Sequence, residues 1–135
     1  YNQLLKNGMN GSAQKITAEY PIALGTTAEN LGFAAKGENE EWTSLYPGFG
    51  KIAEEEGYPE VAKTFLNISK VEEKHEARYN KLLNNLKTER VFKKDSKVQW
   101  KCDVCGHIVE SFSAPKNCPV CDHPHEHFEM FVENY

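Results

Sequence analysis

The sequence predicts a mainly α fold, with two long helices of a four-helix bundle followed by a small β/loop metal module. Three observations carry that prediction. Apolar residues recur at alternating three- and four-residue steps through two stretches before residue 87, the spacing of one helix face. All four cysteines lie beyond residue 101, as two Cys-x-x-Cys pairs. The composition, 39% hydrophobic and 27% charged over 135 residues, is that of a globular chain carrying a helical domain and a small appendage.

Charge and hydropathy narrow the classes further. A net charge of −4 argues against a nucleic-acid binder, which would carry a basic excess. No apolar run approaches the ~18 residues of a membrane span, so no membrane partner is expected. Tyr1-Asn2-Gln3 does not open a signal peptide, and the start at Tyr1 rather than Met reads as the tail of something longer. Cysteines confined to close pairs suit a reducing compartment, and the cytoplasm is the expected location.

Taken in order, residues 7–14 hold two Asn-Gly steps and read as a loop, and Lys15–Gly25, with Pro21 inside it, as an extended connection. Thr26 or Thr27 can cap a helix running to about Glu56. Its expected inner seam is Ala28, Leu31, Ala35, Glu38, Trp42, Leu45, Phe49 and Ile52, and Pro47 should kink it by removing a backbone donor. Gly57-Tyr58-Pro59 breaks the chain, and Pro59 and Glu60 open a second helix to about Leu86. Its seam is Val61, Phe65, Ile68, Glu72, His75, Tyr79, Leu82 and Leu86. Lys87–Lys101, with six Lys/Arg, reads as a polar linker before the cysteines.

Glu38, Glu72 and His75 stand on seams that otherwise hold apolar residues. A desolvated carboxylate without a partner costs several kcal/mol or takes up a proton, so three such groups on facing helices call for a cation between them. Glu72 and His75, spaced i, i+3, reach one ion from the same helix face. Glu41 lies one turn beyond Glu38 and adds a second carboxylate from that helix. One Glu on one helix and Glu-x-x-His on its neighbour is half of a carboxylate-bridged di-metal site. Oxygen and imidazole donors suit iron or manganese. Glu40, Glu73 and Glu76 lie off the seams and read as surface charge, as does Glu54-Glu55-Glu56. Tyr46 reads as core packing, or as a phenol beside the metal centre.

Cys102-x-x-Cys105 and Cys118-x-x-Cys121 form two metal knuckles whose four thiolates take zinc or iron. Gly106 allows the left-handed backbone that turns amides toward a thiolate. Trp100, Phe112, Phe128 and Phe131 offer a small core over the site. With the shell filled by cysteines, His123, His125 and His127 read as surface residues.

Together these motifs resemble the rubrerythrin family almost end to end. The resemblance is carried by Gly37-Glu38-Asn39-Glu40-Glu41-Trp42-Thr43, Leu45-Tyr46-Pro47, Ala53-Glu54-Glu55-Glu56-Gly57-Tyr58, Glu72-Glu73-Lys74-His75-Glu76 and the cysteine module from Trp100 to Phe128. It implies residues 1–86 as the second half of a ferritin-like bundle, 87–99 as a linker and 100–135 as a rubredoxin-like iron-binding domain. It further implies a non-haem di-iron peroxidase that reduces hydrogen peroxide to water and protects against oxidative stress. Iron would sit at Glu38, Glu41, Glu72 and His75, with Glu72 shared between the two metals, Glu38 terminal and Glu41 following the redox state. A second, mononuclear iron at Cys102, Cys105, Cys118 and Cys121 would feed it electrons. The implied partners are hydrogen peroxide and an electron-donating reductase or rubredoxin.

The family's bundle draws a further Glu and a second Glu-x-x-His from two preceding helices, which this sequence does not contain. Residues 1–6 look like the end of such an earlier helix. Three arrangements fit: a complementary N-terminal half, as a second chain or as a segment cut off or left out of this sequence; a homodimer partner related by a two-fold axis; or a helical site never completed, with iron at the cysteines alone. Two other functions fit parts of the pattern: a structural zinc ribbon on a helical interaction domain, and a ferroxidase without peroxidase turnover.

Overall fold

A computed structural model describes residue 15, residues 17–19 and residues 22–135. The readings made for residues 1–6 and for the loop at 7–14 fall outside the described residues. Of the connection that follows, the described positions carry no regular secondary structure.

Helix α1 (Thr27–Glu40) starts at Thr26, whose hydroxyl accepts from the Glu29 N–H while the Glu29 carboxylate accepts from the Thr26 N–H, a reciprocal capping box. Five residues, Glu41–Leu45, then form a π turn, in which the Tyr46 N–H donates to the Glu41 carbonyl five residues back. Helix α2 (Tyr46–Glu55) continues from it, with Pro47 in its first turn, where a missing N–H does least harm. Gly57, at φ 82°, turns the chain, and helix α3 (Pro59–Lys87) opens on Pro59 and runs back along α1 and α2. No helix among the described residues is long and apolar enough to cross a membrane.

The π turn changes which residues face inward. It inserts one extra residue, so the seam expected at Leu45, Phe49 and Ile52 falls instead on Tyr46, Gly50 and Ala53. Gly50 and Ala53 are buried, whereas Leu45, Phe49 and Ile52 are 39–51% exposed. A Cβ on Gly50 would lie 3.4 Å from the Ala62 carbonyl and from Leu66, so small residues set a close helix approach here. On α3 the line is likewise displaced: Ala62 is buried, while Ile68 and Leu82 remain at least a third exposed.

The region read as a linker over 87–99 is mostly strand. β1 (Lys93–Cys102) pairs antiparallel with β2 (Ile108–Ser113) and with β3 (Phe128–Met130), in the order β2-β1-β3. Its lysines and Asp95 belong to a strand with a solvated face, while Val98 and Trp100 turn toward the core. The connection proper is short. Glu89 adopts φ 56° after α3, and the Arg90 N–H donates to the Asn85 carbonyl at 2.7 Å. Trp100, Cys102, Cys118 and Phe128 make the buried core of the module, with Val98, Val109, Ala114 and Cys121 against it. Phe112, expected in that core, lies on the outer face of β2 and is 51% exposed. The strand alternation turns Val109 and Ser111 inward instead.

Candidate metal centres

The cysteine site is assembled by two knuckles of matching geometry. Cys102 ends β1, Cys105 follows in the turn, and Cys118 and Cys121 come from the second loop. Sγ of Cys102 lies 3.7 Å from Sγ of Cys121, and Sγ of Cys105 lies 3.6 Å from Sγ of Cys118. A regular tetrahedron of sulfurs ~2.3 Å from a central metal has edges of about 3.8 Å, so the cage matches one tetrahedral thiolate ion.

The residue after each second cysteine takes the left-handed conformation, Gly106 at φ 75° and Asp122 at φ 59°. That turn aims the His107 N–H at Cys105 and the His123 N–H at Cys121. Asp122 pays no glycine-like ease for this conformation; Asn117 steadies it by donating to its carboxylate at 3.1 Å and to its carbonyl at 3.2 Å. Burial pushes the Cys118 thiol up, but the N–H groups of Cys121 and Val120 and the neighbouring thiols outweigh it and bring it down to about 6. Cys121 receives the His123 N–H, yet burial and the three other thiols push it up to about 12. Crowding thus sets the thiols apart: Cys118 gives up its proton readily, while Cys121 holds one that a cation would displace. His123 and His127 are exposed, and His125 stacks on Phe92 with ring centroids 4.4 Å apart.

The second centre bridges α1 and α3. Glu38, Glu72 and His75 each offer a ligand atom, and these atoms lie within 4.8 Å of one another. His75 Nδ1 is 2.6 Å from Glu72 Oε2 and 3.6 Å from Glu38 Oε2. Donors sharing one ion at ~2.1 Å sit no more than about 4.2 Å apart, so both separations fit a common metal. The carboxylates are shielded, with side-chain exposures of 17% for Glu38 and 12% for Glu72, while His75 is open at 47%. Burial raises the Glu38 carboxyl above its ordinary value, the Glu72 charge adds to it, and His75 opposes.

Glu41 is not within that three-residue group. It lies near enough to raise both Glu38 and Tyr46 by its charge. Tyr46 packs as a core residue, with its phenol near the carboxylates. Its ring packs at 5.9 Å from Phe65, and burial followed by the charges of Glu41, Glu72 and Glu38 raises its phenol. Glu76, read as surface charge, is half-buried between the helices. It accepts from Trp42 Nε1 at 2.5 Å and from Asn39 Nδ2 at 3.0 Å, and these bonds lower its carboxyl. The signal was the tryptophan: a half-buried indole N–H needs an acceptor, and Glu76 is the carboxylate on the facing helix.

A helical carboxylate–imidazole site followed by a tetrathiolate cage defines the class, a two-module metal-binding protein. The family models agree: "Rubrerythrin" matches residues 5–83, and "Rubrerythrin, rubredoxin-like domain" matches residues 100–129. The chain belongs to the rubrerythrin family. It is 52% identical to rubrerythrin-1 of Clostridium acetobutylicum over 98% of this chain and 69% of that protein. It is 48% identical to rubrerythrin of Clostridium perfringens over the whole chain and 70% of that protein. Among solved structures it resembles nigerythrin in the mixed-valent state (25% identity, TM-score 0.50) and in the fully reduced state (27%, 0.51). Each likeness covers 97% of this chain and 60% of the nigerythrin chain. The cofactor of this family's two sites is iron, and both donor sets fit it.

Proposed function

We propose that the chain is the iron-binding part of a non-haem di-iron peroxidase that reduces hydrogen peroxide to water in protection against oxidative stress. The observation that carries this reading is the convergence of Glu38, Glu72 and His75 across two helices, in a chain that also builds a four-cysteine cage. The reaction needs two electrons and two protons per peroxide: the O–O bond breaks and two waters form. Bound iron would supply the two electrons together at the helical site and restore them singly from the cysteine site.

The chain's own groups have distinct tasks. Glu38, Glu72 and, one turn away, Glu41 supply the negative charge and oxygen donors for two cations. His75 supplies the imidazole. Burial and the nearby Glu41, Glu72 and Glu38 charges keep the Tyr46 phenol protonated beside the site. The His107 and His123 N–H groups point at the sulfurs of Cys105 and Cys121, where they stabilise thiolate charge and favour the reduced state. A second chain or preceding segment would bring the remaining Glu and Glu-x-x-His of the four-helix arrangement.

The test is anaerobic. The iron-loaded, reduced protein is mixed with hydrogen peroxide, and the visible bands of the ferric tetrathiolate are followed. Peroxide should colour the cysteine site faster than dioxygen does, and Glu72→Ala should abolish the difference. A faster response to dioxygen, or an undiminished preference for peroxide in Glu72→Ala, would overturn the peroxidase reading.

A further inference from the structure

Glu76 collects hydrogen bonds from residues that each adjoin a proposed metal ligand. Asn39, donating at 3.0 Å, follows Glu38; Trp42, donating at 2.5 Å, follows Glu41 in the π turn; and Glu76 itself follows His75. Both bonds converge on one atom, Glu76 Oε2, while Asn80 Nδ2 approaches Oε1 at 3.4 Å from the next turn of α3. Among the described residues it joins α1 to α3 by side-chain hydrogen bonds immediately beside the carboxylate–imidazole cluster. The helix contact is otherwise largely apolar, with Ala35, Ala53 and Ala62 buried and Tyr46 and Phe49 packed on Phe65.

We infer that Glu76 is a positioning residue. Its carboxylate ties the backbone carrying Glu38 and Glu41 to the backbone carrying Glu72 and His75, and so sets the spacing of the helical metal site. Charge-assisted bonds from N–H donors are short and directional, so one carboxylate oxygen gripping two donors fixes helix register as apolar contact does not. Trp42 lies inward by the regular count and its indole reaches Glu76, while the extra residue of the π turn brings Tyr46 to the same side, near Glu41. No iron ligand is assigned to Glu76; it acts through its neighbours.

The inference rests on the reading of Glu38, Glu72 and His75 as ligands, and its test separates the two. The full chain is titrated with cobalt(II). Thiolate charge-transfer bands report the cysteine cage, and weaker ligand-field bands report oxygen and nitrogen coordination at the helices. Glu72→Ala identifies the helical bands. Glu76→Ala should weaken cobalt at the helical site roughly tenfold to a hundredfold, the range for partners that orient metal ligands. Glu76→Gln, which keeps an acceptor oxygen, should recover most of that loss. Trp42→Phe, which keeps the ring and loses the N–H, should weaken the same bands. The cage bands and far-ultraviolet dichroism should be unchanged throughout.

A metal-independent arm reads the metal-free protein by NMR. The Trp42 indole proton should be shifted downfield and slow to exchange, and Glu76→Ala should remove both properties. If helical cobalt is bound and lost in Glu72→Ala but unchanged in Glu76→Ala and Trp42→Phe, the positioning role is overturned while the ligand reading stands. If Gln and Ala weaken it equally, or dichroism falls with it, the role is also overturned. If no helical cobalt binds to the unaltered chain, both fall.

Discussion

Nδ1 of His75 stands 3.6 Å from Oε2 of Glu38, although the two residues belong to different helices and face each other across α1 and α3. That approach is the reason the helix pair concentrates negative charge rather than burying leucine. Glu72, 2.6 Å from the same nitrogen, completes a group in which like charges crowd until a cation or a proton relieves them.

The first prediction concerns pH in the metal-free protein. Burial, then the Glu72 charge, raises the Glu38 carboxyl above its ordinary value, so the fold favours its protonated form. Its stabilising contribution is therefore full below the ordinary carboxylate value and is lost as pH rises through the raised one. Urea unfolding in the presence of chelator should show falling stability over that window. Glu38→Gln should flatten the fall and be the more stable protein at neutral pH, while binding metal more weakly. A fall of equal size in Glu38→Gln would assign it to another group.

The second concerns the helix contact. Because a Cβ at Gly50 would already touch the Ala62 carbonyl and Leu66 at 3.4 Å, Gly50→Leu forces its outer carbons into α3. Chemical unfolding should register a loss of about 1–3 kcal/mol. The cysteine cage, in a separate core, should keep its absorption.

The third compares the two knuckles. Gly106 is left-handed with open space where a Cβ would go, so Gly106→Ala carries backbone strain alone, about 1–2 kcal/mol. Asp122 already bears that strain with the help of Asn117, so Asp122→Gly exchanges a hydrogen bond for relief and should lie within about 0.5 kcal/mol of the unaltered protein. Chelator-driven loss of the visible bands, measured side by side, should be faster for Gly106→Ala only.

How much of this was legible follows from periodicity. Two helices, the break at Gly57-Tyr58-Pro59, the cap at Thr26 and the four-cysteine cage were readable, because capping, proline and ligand spacing are local signals. The carboxylates at Glu38 and Glu72 and the imidazole of His75 were readable too, since a polar group on an apolar seam stands out. The inner line after Trp42 was not: a π turn advances the register by one residue, and a regular 3.6-residue count carries Leu45, Phe49 and Ile52 inward when Tyr46, Gly50 and Ala53 take those places. Glu76 was missed for a different reason: the seam drawn on α3 took His75 as its inner residue, although the next residue is the one that accepts from Asn39 and Trp42. Lys93–Cys102 was misread because charged residues on the solvated face of a short strand look like a linker.

The fourth prediction bears on the central claim, that one chain carries two chemically distinct iron sites. Iron content and the Mössbauer spectrum of the reconstituted full chain test it most directly. The account predicts a tetrathiolate signal together with a separate oxygen/nitrogen-coordinated signal, a total above about one iron per chain by the ligand count, and loss of only the second signal in Glu72→Ala. A single tetrathiolate signal at about one iron per chain, unchanged in Glu72→Ala, would contradict it.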